Sequence, residues 1–183
     1  MAILFTINEN GVLEKAELED TSIDIPEGVR NIGDGEFCDP VELEEVTIPH
    51  GVTRIGDGAF AGCDFIAGAM IPDSATSIGN KAFYDCYSLT YIRMPDSVTS
   101  IGDEAFADCN QMTSIELSES LTSIGDRAFA WCESLTEVRI PGSVAHIGEM
   151  AFYGCDAGLV VSAPAGSCAE RYAAGNGISI NVI

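Results

Sequence analysis

Basic residues are scarce in this chain. Lys and Arg number 8 against 29 Asp and Glu, a formal net charge of −21 over 183 residues. Nucleic-acid binding rests on clustered Lys and Arg that neutralise phosphates. No such cluster occurs, so a nucleic-acid partner is excluded and basic partners are favoured. Residues 1–60 hold 14 acids and 3 bases, and residues 61–183 hold 15 and 5. No apolar run approaches the roughly 20 residues needed to cross a bilayer, so membrane insertion is not expected. The segment from Met1 to Glu9 has neither a basic stretch nor a long apolar core and does not read as a signal peptide.

Residues that carry catalysis are equally sparse. The only histidines, His50 and His146, lie about four repeats of the pattern described below apart and cannot share a site. Each stands beside a regular apolar position, which makes it a surface residue. No Gly-x-Ser-x-Gly elbow is present. The glycines form neither Gly-x-Gly-x-x-Gly nor a phosphate loop, and no Cys-x-x-Cys supplies zinc spacing. An enzyme, a metal and a cofactor are therefore not expected.

What the chain has in abundance is itself. Ile-Gly recurs every 23 residues, at Ile32-Gly33, Ile55-Gly56, Ile78-Gly79, Ile101-Gly102, Ile124-Gly125 and Ile147-Gly148. A fixed period of this size signals stacked coils, each burying its apolar face only against its neighbours. In the unit from Leu89 to Cys109, the regular positions are Leu89, Ile92, Met94, Pro95, Val98, Ile101, Gly102, Ala105, Phe106 and Cys109. Ile92 and Met94 alternate with Arg93, which predicts a short strand with Arg93 outward. Pro95 ends it. A second extended piece is expected over Val98 to Ile101. Gly102 is expected to turn the chain through a backbone angle closed to larger residues, and Asp103 to cap a short helical turn carrying Ala105, Phe106 and Cys109 inward. In register, Phe37, Phe60, Phe83, Phe106, Phe129 and Phe152 form an aromatic spine.

Three segments follow. Residues 1–22 read as a capping hairpin, with Ile3, Phe5 and Ile7 alternating before an Asn10-Gly11 turn. Residues 23–164 hold about six repeats. Residues 165–183 read as a closing cap, with a Ser167/Glu170 capping box, a helix stopped by Gly175, and an alternating strand through Ile178, Ile180 and Val182.

The pattern Leu-x-x-Ile-x-Ile-Pro-x-x-Val-x-x-Ile-Gly-x-x-Ala-Phe-x-x-Cys resembles the BspA-like class of leucine-rich repeats from bacterial surface proteins. Departures are Pro40 in place of Cys, Ser118 in place of Pro, and Ala69 and Met70 in the third strand. The resemblance implies an α/β solenoid, a curved right-handed superhelix with a concave parallel sheet and helical turns on its other faces. It also implies a protein-binding or adhesion module at the cell surface or secreted. A basic, host or extracellular-matrix protein is the expected partner, and the chain is expected to be a monomer. The alternative reading is a structural spacer or self-assembling scaffold.

On the concave strands the outward column reads Asp24, Thr47, Met70, Arg93, Glu116, Arg139 and Ser162. Two residues earlier it reads Ser22, Glu45, Gly68, Tyr91, Ser114, Glu137 and then Leu159 or Val160. The protein-binding candidates are Met70, Tyr91, Arg93, Glu116, Glu137 and Arg139, in residue types enriched at interfaces where they are Tyr, Arg or Met. The competing reading is an Arg93–Glu116–Arg139 ladder of mutually satisfied charges. Trp131 is expected in the outer rim packing. Cys63, Cys86, Cys109, Cys132 and Cys155 are expected as buried apolar fillers with free thiols, and Cys38 and Cys168, off that ladder, as the more reactive pair. The column Asp34, Asp57, Asn80, Asp103, Asp126 and Glu149 offers one carboxylate per coil, too few oxygens for calcium.

Overall fold

The computed structural model describes residues 4–17, 21–37 and 43–183. Cys38 and Pro40 lie outside them. The chain winds as a β-solenoid with two strands per coil. The outward column named above lies on three-residue strands at Ser22–Asp24, Glu45–Thr47, Gly68–Met70, Tyr91–Arg93, Ser114–Glu116 and Glu137–Arg139. The strands from Gly68–Met70 to Glu137–Arg139 continue through Val160–Ala163 and Ser179–Val182 as one six-stranded parallel sheet, called the broad sheet below, while Ser22–Asp24 and Glu45–Thr47 pair as a separate two-stranded sheet. Each three-residue strand buries its central residue and exposes or half-exposes the other two, as period two requires. Two-residue strands at Asn31–Ile32, Arg54–Ile55, Ser77–Ile78, Ser100–Ile101, Ser123–Ile124 and His146–Ile147 form a second parallel sheet. Ser77 pairs with Ser100 and Ser100 with Ser123, so the register advances one repeat per coil.

Between the sheets lies one continuous core, and its centre is the phenylalanine spine. Successive rings from Phe37 to Phe152 stack with centroids 5.0–5.4 Å apart and planes within 15° of parallel. That spacing matches the strand-to-strand distance of a sheet, about 4.8 Å. Tyr172 closes the stack edge-on, 6.0 Å from Phe152 at 69°.

The ends are built differently. Leu4–Ile7 and Val12–Glu17 form an antiparallel hairpin whose turn holds Gly11 at φ 75°. Its second strand already joins the solenoid, Leu13 pairing with Ile32. At the other end, Cys168–Asn176 is helical, with Ser167 Oγ accepting from the Glu170 amide at 3.1 Å. The helix does not stop at Gly175. It runs one residue further, and Gly177 takes the left-handed conformation at φ 69° while its N–H caps Ala173 O. Gly175 is an interior helical glycine with no atom within 4 Å of an added Cβ. Gly175→Ala is therefore expected to stabilise the cap by about 0.5–1 kcal/mol, readable as a rise in thermal midpoint.

The segment after each Ile-Gly is not helical. It is a run of tight turns with Glu104 and Asp108 at φ 54° and 63°, and the same left-handed pair recurs at Lys81/Asp85 and Arg127/Trp131. The reason lies in where the amides go. A helix needs each N–H for the carbonyl four residues back. Here Glu104, Phe106 and Asp108 donate instead to Asp126, Ala128 and Ala130 of the next coil, at 2.7–2.8 Å. The stack takes the donors that a helix would use.

Gly102 also acts differently from the angle-based expectation. Neither it nor its equivalents have positive φ. Its constraint is space, since an added Cβ would lie 2.5 Å from Asn80 N and 2.6 Å from Gly79 C. Ser118, where the repeat favours proline, is buried and receives the Ser120 amide on its Oγ at 3.1 Å.

Candidate interaction face

The outward columns of the broad sheet stand where the strand alternation puts them. Met70 is 57% exposed and Tyr91 56%. The Tyr91 ring lies over the backbone of Gly68, where an added Cβ would meet ring carbons at 2.1–2.8 Å. A glycine in the neighbouring strand thus provides the seat for the ring, and the tyrosine is held flat with its outer face open. Met70 pairs in register with Arg93, Arg93 with Glu116, and Glu116 with Arg139. Glu137 pairs with Ser114 and with Val160, which places Val160 rather than Leu159 in that column.

Adjacency does not make an ion-pair ladder here. Arg93 turns back to Asp73, 3.5 Å away, and Arg139 turns back to Glu119. In both cases the partner stands at the start of the turn that follows the preceding strand, so the guanidinium reaches along the surface rather than across the strand to Glu116. Several hollows mark the face. One of about 690 Å³ is lined by Met94, Asp96, Glu116, Leu117, Glu119, Glu137 and Arg139 among others, and one of about 370 Å³ by Glu45, His50, Met70, Asp73, Tyr91 and Arg93 among others.

Elsewhere the columns are structural. Asp34 Oδ1 accepts the amide of Asp57, Asp57 that of Asn80, and so on to Glu149, at 2.7–3.0 Å. These side chains tie one coil to the next; they do not cap a helical turn of their own coil. No group of three or more metal-ligating side chains occurs among the described residues. His50 and His146 are both exposed. Trp131 covers the backbone of Gly154, meets Tyr153 edge-on at 5.0 Å, and keeps 45% of its surface exposed. Among the described residues no helix is long and apolar enough to cross a membrane.

The cysteine ladder has an order that apolar filling alone does not explain. Cys63, Cys86, Cys109, Cys132 and Cys155 each donate Sγ–H to the carbonyl of the spine phenylalanine one coil back, at 3.1–3.2 Å. Sequence spacing shows the columns but not this cross-link between them, because donor and acceptor stand 26 residues apart. Cys86, Cys109, Cys132, Cys155 and Cys168 carry free thiols. Burial raises the thiols of Cys86, Cys109 and Cys132 well above their ordinary value, and that of Cys155 from 9.0 to about 12. A folded value above the unfolded one means stability is complete below the ordinary thiol range and falls as pH rises through the folded value. In native protein at about pH 8, Ellman's reagent is expected to leave these four thiols untouched and to reach them only after unfolding in guanidinium. Full reaction before unfolding would show the ladder to be solvated.

A model of the BspA type leucine-rich repeat region matches residues 16–109, more than half of the chain, in 6 copies. No curated protein matches. Among solved structures, a leucine-rich cell surface protein of Faecalibacterium prausnitzii is 30% identical with a TM-score of 0.70, over 88% of this chain and 52% of that one. The leucine-rich repeat protein of T. pallidum is 27% identical with a TM-score of 0.64, over 87% of this chain and 68% of that one. One from Eubacterium ventriosum, 22% identical with a TM-score of 0.60 over 89% of this chain and 42% of that one, shares the fold. With its Ile-Gly, Phe and Cys columns stacked in register and the family's repeat model matching over more than half its length, the chain belongs to the BspA-type leucine-rich repeat family.

Proposed function

We propose that the chain is a non-catalytic module that presents its broad sheet, the concave side in this family, to a protein partner through Met70, Tyr91, Arg93, Glu116, Glu137 and Arg139. One observation carries this reading. Tyr91 and Met70 are more than half exposed, and the Tyr91 ring is seated on Gly68. A pre-seated aromatic gives contact area at little cost in entropy, and Tyr, Met and Arg are the side chains interfaces favour. The setting proposed is the cell surface, as for the Faecalibacterium prausnitzii protein. The net charge of −21 favours a basic host or matrix protein.

The experiment is surface plasmon resonance against immobilised extracellular-matrix proteins, basic ones included, at low and high salt. The intact chain is expected to bind at least one of them saturably. Tyr91→Ala with Arg93→Glu is expected to weaken that binding by about tenfold or more. Saturable binding that this double variant leaves unchanged would place the interface elsewhere. No binding to any of them would count against the adhesion reading.

A further inference from the structure

We infer that the larger hollow of the broad sheet receives a lysine or arginine side chain from an extended basic segment of the partner, held between Asp96, Glu116 and Glu137. This rests on the broad sheet being the binding face. An arginine at the outward strand position pairs with an acid 20 residues earlier in two coils, Arg93 with Asp73 and Arg139 with Glu119. The coil between them keeps the acid, Asp96, but carries Glu116 where its neighbours carry arginine. Both flanking arginines are turned away to Asp73 and Glu119, so the charge of Glu116 meets no cation among the described residues, and neither does that of Glu137 one strand on.

The floor beneath is apolar. Met94 and Leu117 are each 8% exposed against 0% for Ile71 and Ile140, and both line this hollow. The hollow thus combines an apolar floor for a side-chain stem with carboxylates for the charged head, those of Glu116 and Glu137 and that of Asp96, which also accepts the Glu119 amide at 3.1 Å. Long basic side chains bury their stems while the head stays paired.

The test uses fluorescence anisotropy of a labelled oligolysine peptide on the intact chain. Glu116→Arg restores the arginine pattern of the two flanking coils, so the fold is expected to hold, and circular dichroism checks it. Binding is expected to weaken by about tenfold or more. Asp64→Asn with Glu133→Gln changes the net charge by the same amount on exposed turns away from this sheet, and is expected to alter binding by less than about twofold. Equal losses in the two variants would reduce the effect to long-range charge and overturn the assignment, as would failure of the intact chain to bind. If Glu116→Arg leaves matrix-protein capture intact while the Tyr91 and Arg93 double variant abolishes it, the hollow is wrong and the face is right. If neither changes capture, the face itself is wrong.

Discussion

Phe106→Ala is expected to lower the unfolding free energy by about 3–5 kcal/mol. The ring is fully buried and stacks on Phe83 at 5.4 Å and on Phe129 at 5.3 Å. The loss is therefore more than the transfer of one ring from water. Both neighbouring rings lose a face, and the two coils are too firmly bonded to close the gap. The Phe106 amide donates to Ala128 O and its carbonyl receives the Cys132 thiol, and both bonds use backbone atoms that survive the substitution. Because each coil contacts only its neighbours, a defect in mid-stack also weakens the coupling between the two halves. Denaturant unfolding followed by far-UV circular dichroism should show an earlier midpoint and a broader transition. Phe152→Ala, at the end of the stack against Tyr172, should cost less. An unchanged midpoint for Phe106→Ala would mean that the spine contributes nothing.

The spine, the cysteine column and the outward strand positions were legible in the sequence because nearly every copy repeats them, and stacking needs only that like lies above like. The direction of hydrogen bonding was not. A residue such as Asp103 after a turn glycine suits a helix cap and an inter-coil tie equally well in one dimension. The structure decides for the tie, because the Asp126 amide arrives 2.8 Å from the Asp103 carboxylate. The face shows the same limit. The columns put Arg93 beside Glu116, yet the bond runs to Asp73 because the turn after Met70 brings that acid alongside the next strand's outward arginine, as the turn after Glu116 brings Glu119 alongside Arg139. That offset of 20 residues does not follow from a period of 23. The seating of Tyr91 on Gly68 was hidden for another reason. It depends on a single missing side chain in one coil, and repetition cannot signal what occurs once.

Gly102→Ala is expected to cost about 3 kcal/mol, the upper end of overpacking penalties. The atoms in the way are what set the size. An added Cβ would sit 2.5 Å from Asn80 N and 2.6 Å from Gly79 C, and backbone cannot rotate aside as a side-chain end can. Relief requires the two coils to part, yet Gly102 N holds Ile78 O at 2.9 Å and Asp103 N holds Asn80 Oδ1 at 2.8 Å. Gly62→Ala separates this effect from backbone angle. Gly62 has φ 73° with nothing within 4 Å of an added Cβ, so its cost is the left-handed penalty alone, about 1–2 kcal/mol. Thermal denaturation of the two variants should therefore rank Gly102→Ala well below Gly62→Ala. The reverse order would mean that the turn glycine is kept for its conformation, and that the coils are not packed backbone against backbone at every Ile-Gly step.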